Sequence, residues 1–160
     1  MKLSEAKINF LDSLAKGALL TATDNECKSN TMTVSWGGCG ILWGEQVCFL
    51  FVRPERYTYS FLENGSYLSL SFLKEDEKDT LAFCGTKSGR DVDKFKECGL
   101  DFTLENKSVC FEKAICTIQL KKLYAQDLKS ECFLEPELLK WYKGQGIHKM
   151  YICEILNVKE

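Results

Sequence analysis

The chain has 160 residues, 45% of them apolar and 28% charged, with a formal net charge of -2 at pH 7. That length and apolar content suit one domain with a sizeable core. The slightly acidic balance argues against nucleic acid as the main partner, which needs a basic face of clustered Lys and Arg.

Phe10, Leu11, Leu14 and Ala15 recur at helical spacing before Gly17, which predicts a short N-terminal helix. The period then changes to two. Ala18 to Thr23 is a strand candidate, and Thr31, Thr33 and Ser35 alternate with Met32, Val34 and Trp36 as in a strand with one polar and one apolar face. Gly37, Gly38, Gly40 and Gly44 break the following region into short or bulged pieces. Val47 to Val52 is apolar on both faces, which predicts a central strand covered on one side by the core and on the other by a helix or a second subunit. Arg53 to Arg56 reads as a turn, Tyr57 to Glu63 as a short helix, and Tyr67 to Phe72 as a strand. Lys78 to Phe83 and Asp91 to Cys98 read as helices stopped by Gly85 and Gly99. Ala114 to Tyr124 shows clean alternation with Cys116, Ile118 and Leu120 inward, and His148 to Leu156 completes the set. Six or more strands joined by short helices imply a mainly β barrel rather than a βαβ sheet.

Only Pro54 and Pro136 and no Ser/Gly-rich or single-charge tract punctuate the chain, so residues 1–160 are expected to form a single domain without a linker. Met1 to Phe10 mixes charged and apolar residues, and no run of about 18 apolar residues occurs, so neither a signal peptide nor a membrane span is expected. A cytoplasmic location follows as an expectation. The nine cysteines are odd in number and lack C-x-x-C spacing, so they read as reduced thiols with no metal site, most of them small hydrophobes such as Cys48, Cys84 and Cys116.

Three segments have the makings of a binding site. Asn30 to Trp36 presents small hydroxyls beside an Asn and a Trp, and is either an amphipathic strand with Trp36 in the core or a backbone edge laid against a flat heteroaromatic ring. Arg53-Pro54-Glu55-Arg56-Tyr57-Thr58 places two guanidiniums at a helix start, which suits either local salt bridges or a phosphomonoester. Gly85 to Lys94 sets Thr86, Ser88 and Arg90 in a turn before a helix, with Lys94 one turn beyond Arg90. The three arginines of the chain, Arg53, Arg56 and Arg90, all lie in these last two segments. No Walker A loop and no G-x-G-x-x-G opening a helix is present. The single histidine, His148, excludes a metal site built on a His pair, and at the start of the last strand it is not expected to serve a Ser-His-Asp triad, so no catalytic constellation is expected among the side chains themselves.

The runs NTMTVSWGG, VRPERYTYSFLENGSYLSLSFL, CGTKSGRDVDKF and YAQDL, with FLEPEL and HKMYICEI, together resemble the flavin-reductase-like, flavoredoxin-type proteins from about Gly17 to Leu156. The resemblance implies a six-stranded split β-barrel that binds FMN non-covalently as a homodimer, with the flavin near the subunit interface. It implies that Asn30, Met32, Thr33, Ser35 and Trp36 lie along the isoalloxazine and ribityl chain. Arg56, Tyr57, Thr58, Ser88 and Lys94 would hold the phosphate, and Arg53 and Arg90 would orient these loops or face a second ligand. His148 matches a histidine near the flavin of related proteins, where it would either receive the nicotinamide or pack the ring, and Cys153 replaces a glycine common in them, which would narrow the donor site. The implied activity is an NADH- or NADPH-dependent flavin reductase; the alternative is a flavoredoxin-type electron carrier reduced by a partner protein.

Overall fold

The computed structural model describes residues 1–160 and consists mainly of strands joined by short helices. Helix α1, Phe10–Lys16, starts where the Asn9 side chain accepts the Asp12 N–H and ends at Gly17, whose φ of 109° leaves the helical region. Strands β1 (Ala18–Thr23) and β2 (Ser29–Val34) form a hairpin. The Asp24 carboxylate holds its loop by accepting the N–H groups of Glu26 and Lys28, each at 2.9 Å. Strands β3 (Gly37–Leu42) and β4 (Glu45–Val52) form the next hairpin. Both of its turn residues, Trp43 and Gly44, have positive φ, the turn geometry that matches strand twist.

Helix α2 (Tyr57–Glu63), strand β5 (Tyr67–Leu73), helix α3 (Lys78–Thr86) and the one-turn helix α4 (Lys94–Glu97) follow. Strands β6 (Phe102–Glu105) and β7 (Ser108–Phe111) pair as a separate hairpin, and β8 (Ala114–Asp127) and β9 (Lys149–Lys159) are the longest strands. Two details differ from the sequence-based expectation. Gly85 does not stop α3 but lies within it: a Cβ there would come to 3.2 Å from Thr33 Cβ, so the glycine allows α3 to lie close on β2. The predicted helix from Asp91 shrinks to α4, because Asp93 caps it by accepting the Lys96 N–H. Gly99 does stop it, with φ of 57°.

The main sheet is antiparallel in the order β2-β1-β5-β8-β9-β4-β3, seven strands where six were expected. Its hydrogen-bonded ladder does not close, since β2 and β3 are the two edges. Yet only Ser35 and Trp36 connect those edges in the chain. Two residues span roughly 10 Å at most including their flanking bonds, far less than the width of a flat seven-stranded sheet. The sheet is therefore curled enough to bring the end of β2 to the start of β3, and because the six antiparallel pairings leave these two strands running in the same direction, β3 continues on from β2 and leaves the outer edge of β2 unpaired. Side chains from β1, β2, β4, β5, β8 and β9 share the enclosed core, among them Leu20, Met32, Leu50, Leu70, Ile118 and Tyr151. A second cluster, built on Leu19, Leu73, Cys84, Val109 and Phe111, seats α3 and the β6–β7 hairpin on the outside of the sheet.

The nine cysteines are all unbridged, and Cys48, Cys84, Cys110, Cys116 and Cys153 are buried. No helix is long and apolar enough to cross a membrane.

Candidate functional site

The open sheet leaves the outer edge of β2 without a partner strand. Lys94 Nζ donates to the Thr31 carbonyl at 2.8 Å from that side, which fixes the alternation: the backbone groups of Thr31 and Thr33 point off the edge, and those of Asn30, Met32 and Val34 point at β1. The side chains of Met32 and Val34 enter the core. Thr33 is half-buried, its Oγ1 donating to the Leu81 carbonyl at 2.6 Å and so tying β2 to α3. A polar backbone edge beside small side chains is thus held open by a neighbouring helix.

A recess of about 180 Å³ runs along this edge, lined by Met32, Thr33, Val34, Ser35, Trp36, Phe51, Arg53, Arg56 and His148. Trp36 is 43% exposed and lies 5.4 Å, ring to ring, from both Trp141 and His148. It is a wall of the recess rather than core. His148, just before β9, is buried and shares a 2.8 Å hydrogen bond between its Nδ1 and the Tyr142 hydroxyl. Burial, with Arg53 nearby, lowers its pKa to about 4, so the ring is uncharged at neutral pH. Arg53 donates to the Trp141 carbonyl at 2.9 Å and to Gln145 Oε1, and its guanidinium lies 5.0 Å from the Tyr142 ring centroid. It fastens the 3-10 segment Pro136–Tyr142 against Trp36 and His148, behind the recess lining, and the Glu55 carboxylate holds the residues that follow by accepting the Gly146 N–H.

A second recess of about 200 Å³ shares Arg56 with the first and is lined by Asn30, Glu55, Arg56, Tyr57, Thr58, Thr86, Lys87, Ser88, Arg90 and Lys94. It is an anion pocket by composition, with four cationic side chains, four hydroxyl-bearing side chains and one carboxylate, Glu55. Thr58 Oγ1 accepts from Asn30 Nδ2 at 2.8 Å, which leaves its own proton free to donate. Arg56 is the N-cap of α2 and has no side-chain oxygen to cap it; no intrahelical or loop carbonyl accepts the N–H groups of Tyr57 and Thr58. Lys94 is only 2% exposed, and its Nζ donates to the carbonyls of Thr31 and Cys84, both at 2.8 Å. Two acceptors leave the third proton of the ammonium for a ligand. Burial lowers the Lys94 pKa to about 8, with Arg56 adding to the effect and Cys84 opposing it. Burial and Arg53 likewise lower the pKa of Arg56. Both shifts record positive charge held without a matching anion, which a phosphate would relieve.

The structure therefore brings all the predicted cofactor residues to two joined recesses. Met32, Thr33, Ser35, Trp36 and His148 fall in the first, Asn30, Tyr57, Thr58, Ser88 and Lys94 in the second, and Arg56 in both. Met32 borders its recess while its side chain is committed to the core. Arg53 and Arg90 separate: Arg53 lines the first recess and latches the Pro136–Tyr142 segment, and Arg90 lines the second, 5.0 Å over the Tyr57 ring. Cys153 does not narrow either recess. It is fully buried in the core opposite Cys48, because its place on β9 points its side chain inward. Val34, Phe51, Glu55, Thr86 and Lys87 line the recesses without having been predicted; all but Phe51 stood inside the segments with the makings of a site, while Phe51 carried no local signal. A flat heteroaromatic ring joined to a phosphomonoester fits this pair of recesses.

The model of the family described as Flavin reductase like domain matches residues 11–160. Comparison with curated proteins gives no match. Among solved structures, the FMN-binding protein from Thermus thermophilus with bound 1-cyclohex-2-enone is 21% identical at a TM-score of 0.70, over 90% of this chain and 69% of that one. Flavoredoxin from Methanosarcina acetivorans is 15% identical at a TM-score of 0.71, over 90% and 67%. The NADH:FAD oxidoreductase of Streptomyces globisporus C-1027, solved with NAD and FAD fragments, is 12% identical at 0.67, over 90% and 73%. At such identities these likenesses concern the fold.

Proposed function

The chain belongs to the flavin-reductase-like family, and from that premise we propose that it binds FMN non-covalently and works as an NAD(P)H-dependent flavin reductase. The observation that carries this reading is the joining of a ring-sized slot to a cationic pocket through one residue, Arg56. The isoalloxazine lies in the slot, against the free backbone edge at Thr33 and beside Ser35 and Trp36. Arg56, Tyr57, Thr58, Ser88 and Lys94 hold the phosphate. Bound FMN supplies the hydride and electron-transfer chemistry. The protein's own residues bind, orient and shield: Trp36 and Trp141 wall off one side, and uncharged His148 packs the slot without placing a fixed charge there.

The electron donor is NADH or NADPH in this reading, and the acceptor a free flavin, a ferric complex or a partner protein. The exposed Trp36 and Trp141 beside the slot favour a second reading, a flavoredoxin-type carrier, because surface aromatic rings suit the docking of a protein donor. We place the protein in a reducing, cytoplasmic compartment on the strength of its unbridged thiols, and treat residues 1–160 as a single domain. A homodimer is supported by the exposed Ile41, Trp43, Leu123 and Tyr124 on β3, its turn and β8, with Trp43 and Tyr124 in ring contact at 6.3 Å.

The test is the visible spectrum of protein reconstituted with FMN, desalted, and mixed anaerobically with NADH and then NADPH. Retained flavin that bleaches with either supports the reductase. Retained flavin that bleaches only with a ferredoxin-type donor assigns the carrier, and loss of all flavin on desalting, with no FMN binding on titration, overturns both.

A further inference from the structure

Tyr142 ends the 3-10 segment, and His148 stands six residues later, just before β9. The chain between them turns back on itself: the Gln145 N–H donates to the Tyr142 carbonyl at 3.1 Å, and Gly144 takes a φ of 72°. The Leu128 N–H then fixes the His148 carbonyl at 3.0 Å. Both side chains return to one place, where the Tyr142 hydroxyl meets His148 Nδ1 at 2.8 Å.

Neighbouring rings hold this pair in orientation. Trp36, Phe51 and Tyr142 pack around the imidazole, with centroids at 5.4, 6.4 and 5.3 Å. The Tyr142 ring in turn packs on the Arg53 guanidinium at 5.0 Å and on Phe133 at 6.0 Å. An imidazole with a single proton carries it on Nδ1 or on Nε2, and the hydrogen bond made at one nitrogen selects between them. Burial raises the Tyr142 pKa, so the phenol keeps its proton, and the hydroxyl has no other acceptor in the fold. Donation to Nδ1 is the arrangement that uses that proton. Nε2 makes no hydrogen bond within the protein, and the only buried side-chain polar atom without a partner is Ser69 Oγ, so Nε2 is accessible. His148 lines the ring slot and Tyr142 does not, so Nδ1 is turned behind the lining and Nε2 faces the slot.

Resting on the flavin reading above, we infer that Tyr142 is a positioning residue: its hydroxyl donates to Nδ1 and so holds His148 as the Nε2–H tautomer, with that N–H offered to an acceptor atom of the ring bound in the slot. Trp36 and Phe51 set the plane of the imidazole, and Tyr142 sets which nitrogen carries the proton. The acceptor is a carbonyl oxygen or an unprotonated ring nitrogen, both of which an isoalloxazine has. The opposite tautomer would aim a lone pair at those atoms and repel them.

The chain has one histidine, so long-range proton–nitrogen NMR of the 15N-labelled full chain reads this ring without ambiguity. At neutral pH and without ligand, Nε2 should carry the proton and Nδ1 should show the shift of an unprotonated, hydrogen-bonded nitrogen. Tyr142→Phe keeps the aromatic ring and removes the hydroxyl; its two imidazole nitrogens should move toward averaged shifts, the mark of mixed tautomers. Saturation with FMN should shift the Nε2 proton signal of the unaltered protein. Tyr142→Phe should weaken FMN binding by about threefold, within the scale of one hydrogen bond. In a His148→Phe background the same substitution should change FMN affinity by less than about twofold, whereas a merely structural Tyr142 would cost the same in both backgrounds. A proton on Nδ1 in the unaltered protein, nitrogen shifts unmoved by Tyr142→Phe, or equal losses in the two backgrounds overturns the inference while the flavin reading stands. Failure of FMN to bind the unaltered protein overturns the flavin reading and removes the acceptor proposed for Nε2–H.

Discussion

Arg56 stands where slot and pocket meet, half-buried and close to a second cation, Arg53. Arg56→Ala should weaken FMN binding by about 1.5 to 3 kcal/mol, the size of a lost charge-assisted hydrogen bond, read by flavin titration. Lys94 gives the site a pH signature. Its pKa in the folded protein is about 8, below the ordinary 10.5, so a bound phosphate must restore a proton that the free site sheds above pH 8. FMN affinity should fall as pH rises from 7 to 9, and titrations of Lys94→Met should show weaker but flatter binding. His148 gives the fold another. With its pKa lowered from 6.5 to about 4, the folded state binds fewer protons than the unfolded chain between those values, so stability is full above pH 6.5 and is lost as pH falls toward 4. Thermal unfolding between pH 4 and 7 should show this slope, and His148→Phe should reduce it.

At the scale of elements, the site depends on two segments that no strand holds. The loop after α3 packs Gly89 on the Tyr57 ring and the Asn30 side chain; a Cβ there would lie 2.7 Å from Tyr57 Cδ1. Gly89→Ala should therefore cost about 1 to 3 kcal/mol of stability by overpacking, and should lower FMN affinity as well, since Asn30 and Tyr57 line the anion pocket. The Pro136–Tyr142 segment is fastened by Arg53 and Glu55. Arg53→Ala should release it, and limited trypsin digestion should then cut after Lys140 or Lys143 several-fold faster than in the unaltered protein. The β6–β7 hairpin escaped the sequence reading for a local reason. Its turn residues Asn106 and Lys107 both take positive φ, and a lysine in the place usually given to glycine hid the signal. The same hairpin supplies Phe102 and Leu104 to a further recess that borders Asn30, Tyr57 and Lys94, so missing it also concealed that recess.

For the whole molecule, the dimer expectation belongs to the apolar residues left on β3, its turn and β8, and sedimentation at micromolar concentration should give the mass of two chains. A monomer would reassign those exposed side chains. Composition, charge and the period-two runs were enough for a mainly β domain, and the arginine pattern was enough to mark both loops of the anion pocket, because these are properties of residue type and short spacing. The seventh strand was not legible, since the glycine-rich run of β3 has little side-chain pattern and becomes a strand only by pairing with β4. Nor was the fate of Trp36, whose segment read alone favoured the core, until the curled sheet brought Trp141 and His148 against it from the far end of the chain. Residue type and short spacing were enough to name most of the polar and aromatic groups that line the two recesses. Their arrangement in space, ring slot beside anion pocket, came from folding, because it depends on the curl of an open sheet whose first and last strands are joined by just Ser35 and Trp36.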